Sequence, residues 1–414
     1  MKIGFITPEY PHPKVKFAAG IATSIRNLAL ALVKKGADVT VFVYHQRESE
    51  IVYDEGVEIH LIKKQTYKFF TWYFYRKHVQ KYVSYVVQEK AIDILEAPDW
   101  TGITAFMKFK VPLVIRFHGS DAYFCKLDGR KQKFKNFMFE KLAIKKASAY
   151  IAPTTYAGLE TQKIFGLNKK KIKTIHYGLQ LEHFVNENPN VYNRNTILYI
   201  GTIIRKKGVL ELAQIFNKVL VKKPNTQLIL IGGDSSDIKT GESSTYKLME
   251  QIFSTKAKKQ VNYLGKIPYE AIKEHIKKAH VCTYPSFAET LGMVTIESMA
   301  MQKPVVNTSI GWAQELIDDG VNGFLVHPSK IDDNSVKILE LLNDEALCLQ
   351  IGKAARQKIE LLFDIQKNAE INIDYYKPPI GSIINSLFHI IILNVRPKHP
   401  IMYNLFDSYS GLGK

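Results

Sequence analysis

Cysteine is scarce. Cys125, Cys282 and Cys348 are the three in 414 residues, with neither the spacing of a zinc site nor that of a disulfide framework. A reduced, cytoplasmic protein is the expectation. No uninterrupted apolar run reaches the ~20 residues that a bilayer-spanning helix needs. The chain starts directly on a strand pattern at Ile3, with no charged stretch and apolar core ahead of it, so no signal peptide is expected. The G-x-G-x-x-G fingerprint is missing, which removes support for dinucleotide oxidoreductase chemistry. No D-x-D metal signature falls in a loop placed to line a cleft. Recognised nucleic-acid-binding motifs are absent too, so a basic nucleic-acid-binding protein remains only as a rival reading.

Acidic residues are few in the first half. Residues 1–190 hold 30 Lys/Arg against 17 Asp/Glu, whereas 191–414 hold 27 against 22. A basic surface on the first half follows, suited to an anionic partner. Its cations interleave with aromatics in two places, Tyr67–Lys77 and Lys126–Lys146. Interfacial segments have that composition, so docking on an anionic membrane surface is expected. Peripheral attachment to the membrane's inner face is therefore the expected location.

What is present is ordinary for globular domains: 46% apolar and 23% charged residues. The length favours two or three domains, each with its own core. Strand-like runs at Lys2–Thr7, Asp38–Val43, Val57–Ile62, Ile92–Leu95, Val111–Phe117, Tyr150–Ala152 and Ile172–Ile175 alternate with helical ones. The helix over Gly20–Lys35 carries a stripe at Ile21, Ile25, Leu28, Ala29 and Leu32 and stops at Gly36. Alternation of this kind predicts an α/β fold with parallel sheets, and ligands in crevices beyond the strand carboxyl ends. The Asn-rich segment Asn186–Asn195 breaks both periodicities and is read as the linker. The second half repeats the pattern, from the strand Thr196–Ile200 onward.

Three second-half segments carry chemistry. Gly201–Gly208 leads from a strand into a helix with Arg205, Lys206 and Lys207 in a row, a cradle for a diphosphate. Leu228–Asp234 is a buried strand ending in Gly232-Gly233, where a nucleotide can meet the backbone. Pro285–Ala300 holds Glu289 and Glu297. On one helix these would stand about 12 Å and roughly 80° apart, facing different ligands. A helix starting near Gly292 instead puts Glu289 at its mouth and Glu297 in its second turn. The free amides there favour an anion, and the carboxylates accept from sugar hydroxyls.

The frame S-F-x-E-x-x-G-x-x-x-x-E-x-M-A over Ser286–Ala300 resembles the signature of the family 4 retaining glycosyltransferases. The resemblance runs over about residues 1–377. It implies the GT-B fold: two doubly wound Rossmann-like domains facing a central cleft. Residues 1–188 would bind the acceptor and 193–362 the nucleotide sugar, with 363–378 a helix crossing back and 379–414 a tail of unassigned role. The implied reaction moves a sugar, with retention, from a nucleotide-diphosphate sugar to a hydroxyl of a glycan or lipid-linked acceptor. Cell-surface polysaccharide or glycolipid synthesis is the expected setting. Neither a cofactor nor a metal is implied. A sugar-nucleotide epimerase or a phosphorylase of the same fold is the alternative.

Roles carry over residue by residue. Lys207 matches the family lysine on the donor phosphates; Thr202 stands where an arginine is expected, and Arg205 is the candidate replacement. His118, in Arg116–Asp121, matches a sugar-contacting histidine. Glu289 would hold the donor sugar and Glu297 the ribose. Gly20, Gly201 and Gly232, the turn at Lys266 and Ile267, and Gly292, Met293 and Val294 would complete the donor site. Trp100 and Asp99, in Glu96–Gly102, are the acceptor candidates, Trp100 as a stacking surface.

Overall fold

The computed structural model describes residues 1–377, apart from Phe17, Ala19, Lys169 and Lys170; the expected tail, 379–414, lies outside the described residues. The first sheet is built from β1 (Lys2–Thr7), β2 (Asp38–Gln46), β3 (Glu50–Asp54), β4 (Val57–Lys63), β5 (Ile94–Pro98), β6 (Leu113–Arg116), β7 (Ala149–Ala152) and β8 (Ile172–Thr174), in the order β3-β4-β2-β1-β5-β6-β7-β8. The second contains β9 (Thr196–Ile200), β10 (Gln227–Ile231), β11 (Val261–Tyr263), β12 (Val281–Tyr284), β13 (Val305–Asn307) and β14 (Phe324–Leu325), ordered β11-β10-β9-β12-β13-β14.

Central strands read as near-continuous apolar runs because helices cover both faces. Ile3, Phe5 and Ile6 of β1 are fully buried, as are Leu228 and Leu230 of β10. The helix Gly20–Lys34 buries Ala22, Ile25, Leu28, Ala29 and Leu32 and ends before Gly36, whose φ is 80°.

One strand departs from the expected all-parallel sheet. β3 pairs antiparallel with β4. Their turn is Glu55-Gly56, with φ of 47° and 89°, the double positive φ of a tight hairpin. Glutamate rather than asparagine or aspartate before the glycine hides this turn in the sequence.

The border between the domains also lies elsewhere than the Asn-rich segment. Tyr177, Leu179 and Phe184 already belong to the second core, while Asn186 and Asn193 bond to Met301 and Lys278 of the second domain. Polar composition marks a loop on the second domain's surface, not a linker. The helix Ile365–Tyr376 then returns to the first core, where Ile365, Ala369 and Tyr376 are buried. Its Asn372 accepts from Arg116 at 2.6 Å, and Tyr376 bonds to Glu96.

The two domains meet across the cleft. Tyr123 donates to the carbonyl of Glu289 at 2.8 Å, and Thr154 to that of Thr290 at 2.8 Å. Glu315 accepts from the amides of Thr155 and Tyr156 at 2.8 and 2.9 Å, capping the first-domain helix Thr155–Phe165 from the other domain. The strand carboxyl ends of both sheets thus face one another.

Candidate active site

The loop after β9 is shaped by backbone approach. Gly232, at φ 145°, lies so close to the carbonyl of Gly201 that a Cβ has no room. Gly208, at φ 69°, likewise packs on the carbonyl of Pro285. The amide of Phe287 donates to Lys206 at 2.8 Å, which ties the basic loop to the Glu289 segment.

That tie brings Lys207 and Glu289 into direct contact as an ion pair. Burial, then the charge of Lys206, pushes the Lys207 ammonium down from its usual range; the Glu289 carboxylate against it opposes that shift and favours the charged pair. The helix Met293–Ala300 begins directly behind, with Gly292 at its cap at φ 90°. Glu289 is therefore in the turn ahead of the helix. The amides at Met293 and Val294 stand at its mouth, where no helical carbonyl precedes them. Lys207, Glu289, Gly292 and Val294 line one small cavity with Thr295 and Ser286.

Glu297 is 5% exposed, in the second turn. Its carboxylate accepts from Tyr269 at 2.6 Å. Burial pushes its pKa up to about 7, against the Tyr269 hydrogen bond and the charge of Lys273. The turn at Lys266 and Ile267 lies beside Gly232, whose amide donates to Gly265 at 2.8 Å. Tyr263 bonds to the Gly232 carbonyl at 2.9 Å.

Across the cleft, His118 is partly exposed just after β6. Its Nδ1 lies 2.8 Å from the Tyr177 hydroxyl, and the rings stack at 5.3 Å and 14°. Burial, then the charge of Arg116, lowers its pKa to about 3, so the imidazole is neutral. Nδ1 is engaged by Tyr177, which leaves Nε2 as the nitrogen to meet a ligand. Gly20 opens the helix after β1, at the carboxyl end of the first sheet, with no other described residue close to where a Cβ would stand.

Two assignments from the sequence change. Asp99 is fully buried, and its Oδ1 accepts from the His118 amide at 2.8 Å. It braces the histidine loop instead of meeting an acceptor; burial raises its pKa to about 7. Arg205 is held by Asp237 through two bonds of 2.8 Å and lines a separate cavity of about 710 Å³ against Asp128 and Arg130. A guanidinium spent on a carboxylate in that geometry does not replace the arginine expected at Thr202. Trp100 remains 39% exposed, in the wall of a cavity of about 330 Å³ with Tyr44, Trp72 and Tyr75. Tyr177 and Tyr269 are site residues the sequence did not single out. Neither has a local signal, because the partner of each, His118 or Glu297, lies on another segment.

Among the described residues, no group of three or more His, Cys, Asp or Glu is arranged to hold a metal, and no helix is long and apolar enough to cross a membrane.

One prediction follows from Glu297. Ribose hydroxyls donate, so they bind the carboxylate and not the acid. The ratio of wild-type to Glu297→Gln affinity for a nucleoside diphosphate is expected to rise with pH through about 7 and then level off, a comparison in which the ionisations of Lys207 and of the phosphate cancel. His118, neutral throughout, contributes none of that step. Calorimetry of both proteins checks this, and an identical pH profile would remove Glu297 from the ribose site.

Comparison with known proteins gives the family and the fold. The model described as Glycosyltransferase Family 4 matches residues 18–183, and that described as Glycosyl transferases group 1 matches 182–358. An uncharacterised glycosyltransferase of Methanocaldococcus jannaschii is 25% identical over 396 residues, covering 91% of this chain and 98% of the relative. The capsular polysaccharide biosynthesis glycosyltransferase CapM of Staphylococcus aureus is 29% identical over 216 residues, half of each chain. Among solved structures, Anabaena HepE in complex with UDP and glucose superposes with a TM-score of 0.69 at 20% identity, covering 91% of this chain and all of that one. The fold is GT-B, and with one family model on each domain the chain belongs to the family 4, group 1 glycosyltransferases.

Proposed function

We propose that the protein moves a sugar from a nucleotide-diphosphate sugar to a hydroxyl of a glycan or lipid-linked acceptor, with retention at the anomeric carbon and without a metal. The observation that carries this reading is the Lys207–Glu289 pair at the mouth of the helix bearing Glu297. A diphosphate takes the ammonium and the helix amides; the released Glu289 carboxylate accepts from hydroxyls of the transferred sugar. Departure of the diphosphate builds negative charge where Lys207 and the amides stand, and positive charge on the sugar. His118, neutral and oriented by Tyr177, meets that sugar from the first domain. The aromatic cavity at Trp100 suits an acceptor sugar ring. A nucleotide-sugar donor accords with the UDP and glucose in HepE, and a role in cell-surface polysaccharide or glycolipid synthesis with CapM.

The test screens nucleotide diphosphates and their sugars for thermal stabilisation, then assays transfer with the best donor. Glu289→Gln is expected to reduce turnover more than donor affinity, because its partner is the sugar being moved. An epimerised or phosphorolysed product, with no transfer to any acceptor, would replace this reading.

A further inference from the structure

The starts of two first-domain helices, Thr71–Glu89 and Phe134–Lys145, lie side by side. Trp72 of one packs on Phe139 of the other with ring centroids 5.0 Å apart, and the Lys135 ammonium sits 5.6 Å over Trp72. Around this contact Phe69, Phe70 and Phe134 are 67%, 65% and 79% exposed. Single exposed apolar residues are ordinary, but a group of aromatics at one end of two neighbouring helices is not. Phe70 is held there in the left-handed region, at φ 50°, a conformation disfavoured for its type. Its carbonyl accepts from the amides of Tyr73 and Phe74, so the start of the helix maintains the turn.

The two segments that build this end carry charge of one sign, and Asp121, which reaches Asn136 at 3.4 Å, is paired with Arg130. No Asp or Glu occurs between Lys63 and Gln88 or between Gly129 and Phe139. Lys64, Lys68, Lys131, Lys133 and Lys135 are exposed and form no ion pair among the described residues. Protein interfaces deplete lysine among their aromatics; here the two alternate. Rings that enter the acyl boundary beside ammonium groups that meet anionic headgroups have this arrangement. Lys64, Thr71 and Trp72 also line the cavity that holds Trp100. The basic aromatic end and the acceptor cavity are therefore contiguous.

We propose that this end of the first domain docks on an anionic lipid bilayer, with the Trp100 cavity opening toward an acceptor carried by a lipid. The acceptor's entry rests on the transferase reading; the docking does not. Flotation of the full chain with phosphatidylcholine vesicles of rising phosphatidylglycerol content, at low and high salt, tests it. Binding is expected to grow with anionic lipid and fall with salt. Replacing Lys131, Lys133 and Lys135 by Glu should weaken it roughly 100-fold at low salt. Replacing Phe69, Phe70 and Phe134 by Ser should weaken it roughly tenfold or more. An unchanged thermal shift with nucleoside diphosphate shows that both variants are folded. No binding at low salt, binding indifferent to anionic lipid, or binding unchanged in both variants overturns the docking. Vesicle binding by a protein without transferase activity supports the docking and overturns only the proposed function.

Discussion

Lys207→Ala is expected to lower kcat/KM by about 100- to 1,000-fold, the loss that follows removal of a buried charge from a developing oxyanion. The lysine is placed by Gly208 behind it and by the Lys206–Phe287 bond beside it, so no neighbouring cation can take its position. Lys206 is the nearest in sequence. Its ammonium instead lies 3.9 Å over the Phe124 ring of the first domain. Lys206→Ala therefore loosens the meeting of the domains, a cation–π contact worth about 0.5–2 kcal/mol, and should cost less activity. Steady-state kinetics of the two variants checks the assignment. Equal, small losses would remove Lys207 from the phosphate site. Arg205→Ala should act on the Asp237 loop, since that carboxylate is its partner.

Arg116→Ala is expected to destabilise the protein by about 3–5 kcal/mol, the cost of leaving a buried partner charge uncompensated. Arg116 and Glu96 are both buried on neighbouring strands, bonded at 2.7 and 2.9 Å. Asn372 and Tyr376 of the returning helix complete the cluster. The lost arginine would leave Glu96 charged between two strands, with only the tyrosine to meet it. Urea denaturation checks this. The paired replacement of Arg116 by Met and Glu96 by Leu should recover much of the loss, because it removes both charges together. A loss below about 1 kcal/mol, the range of an exposed pair, would show that water reaches the cluster.

Much of the fold was legible because its signals are local. The stripe Ile25, Leu28, Ala29, Leu32 makes a helix whatever surrounds it, and Gly36 ends it. On one helix the eight-residue step from Glu289 to Glu297 would turn the two carboxylates toward different ligands. Gly292 then named the place where the helix starts. Where local signals were weak the reading slipped. Glu55-Gly56 does not declare a hairpin, and the polar Asn186–Asn195 has the composition of a linker although the chain enters the second core at Tyr177.

Residue type and spacing along the chain thus determined the alternating strands and helices, the glycine loops, the helix mouth between two carboxylates and the basic first half. Tertiary structure decided which of the charged groups meet at the mouth of the Met293–Ala300 helix, where Lys207 and Glu289 pair. Asp99 and Arg205 look as available in the sequence as Glu289 and Lys207, yet the first is buried under the His118 loop and the second is committed to Asp237, 32 residues on. Burial and pairing depend on what distant segments bring within a few ångströms. Periodicity reports only which way a side chain leaves its own backbone, and not which group will be there to receive it.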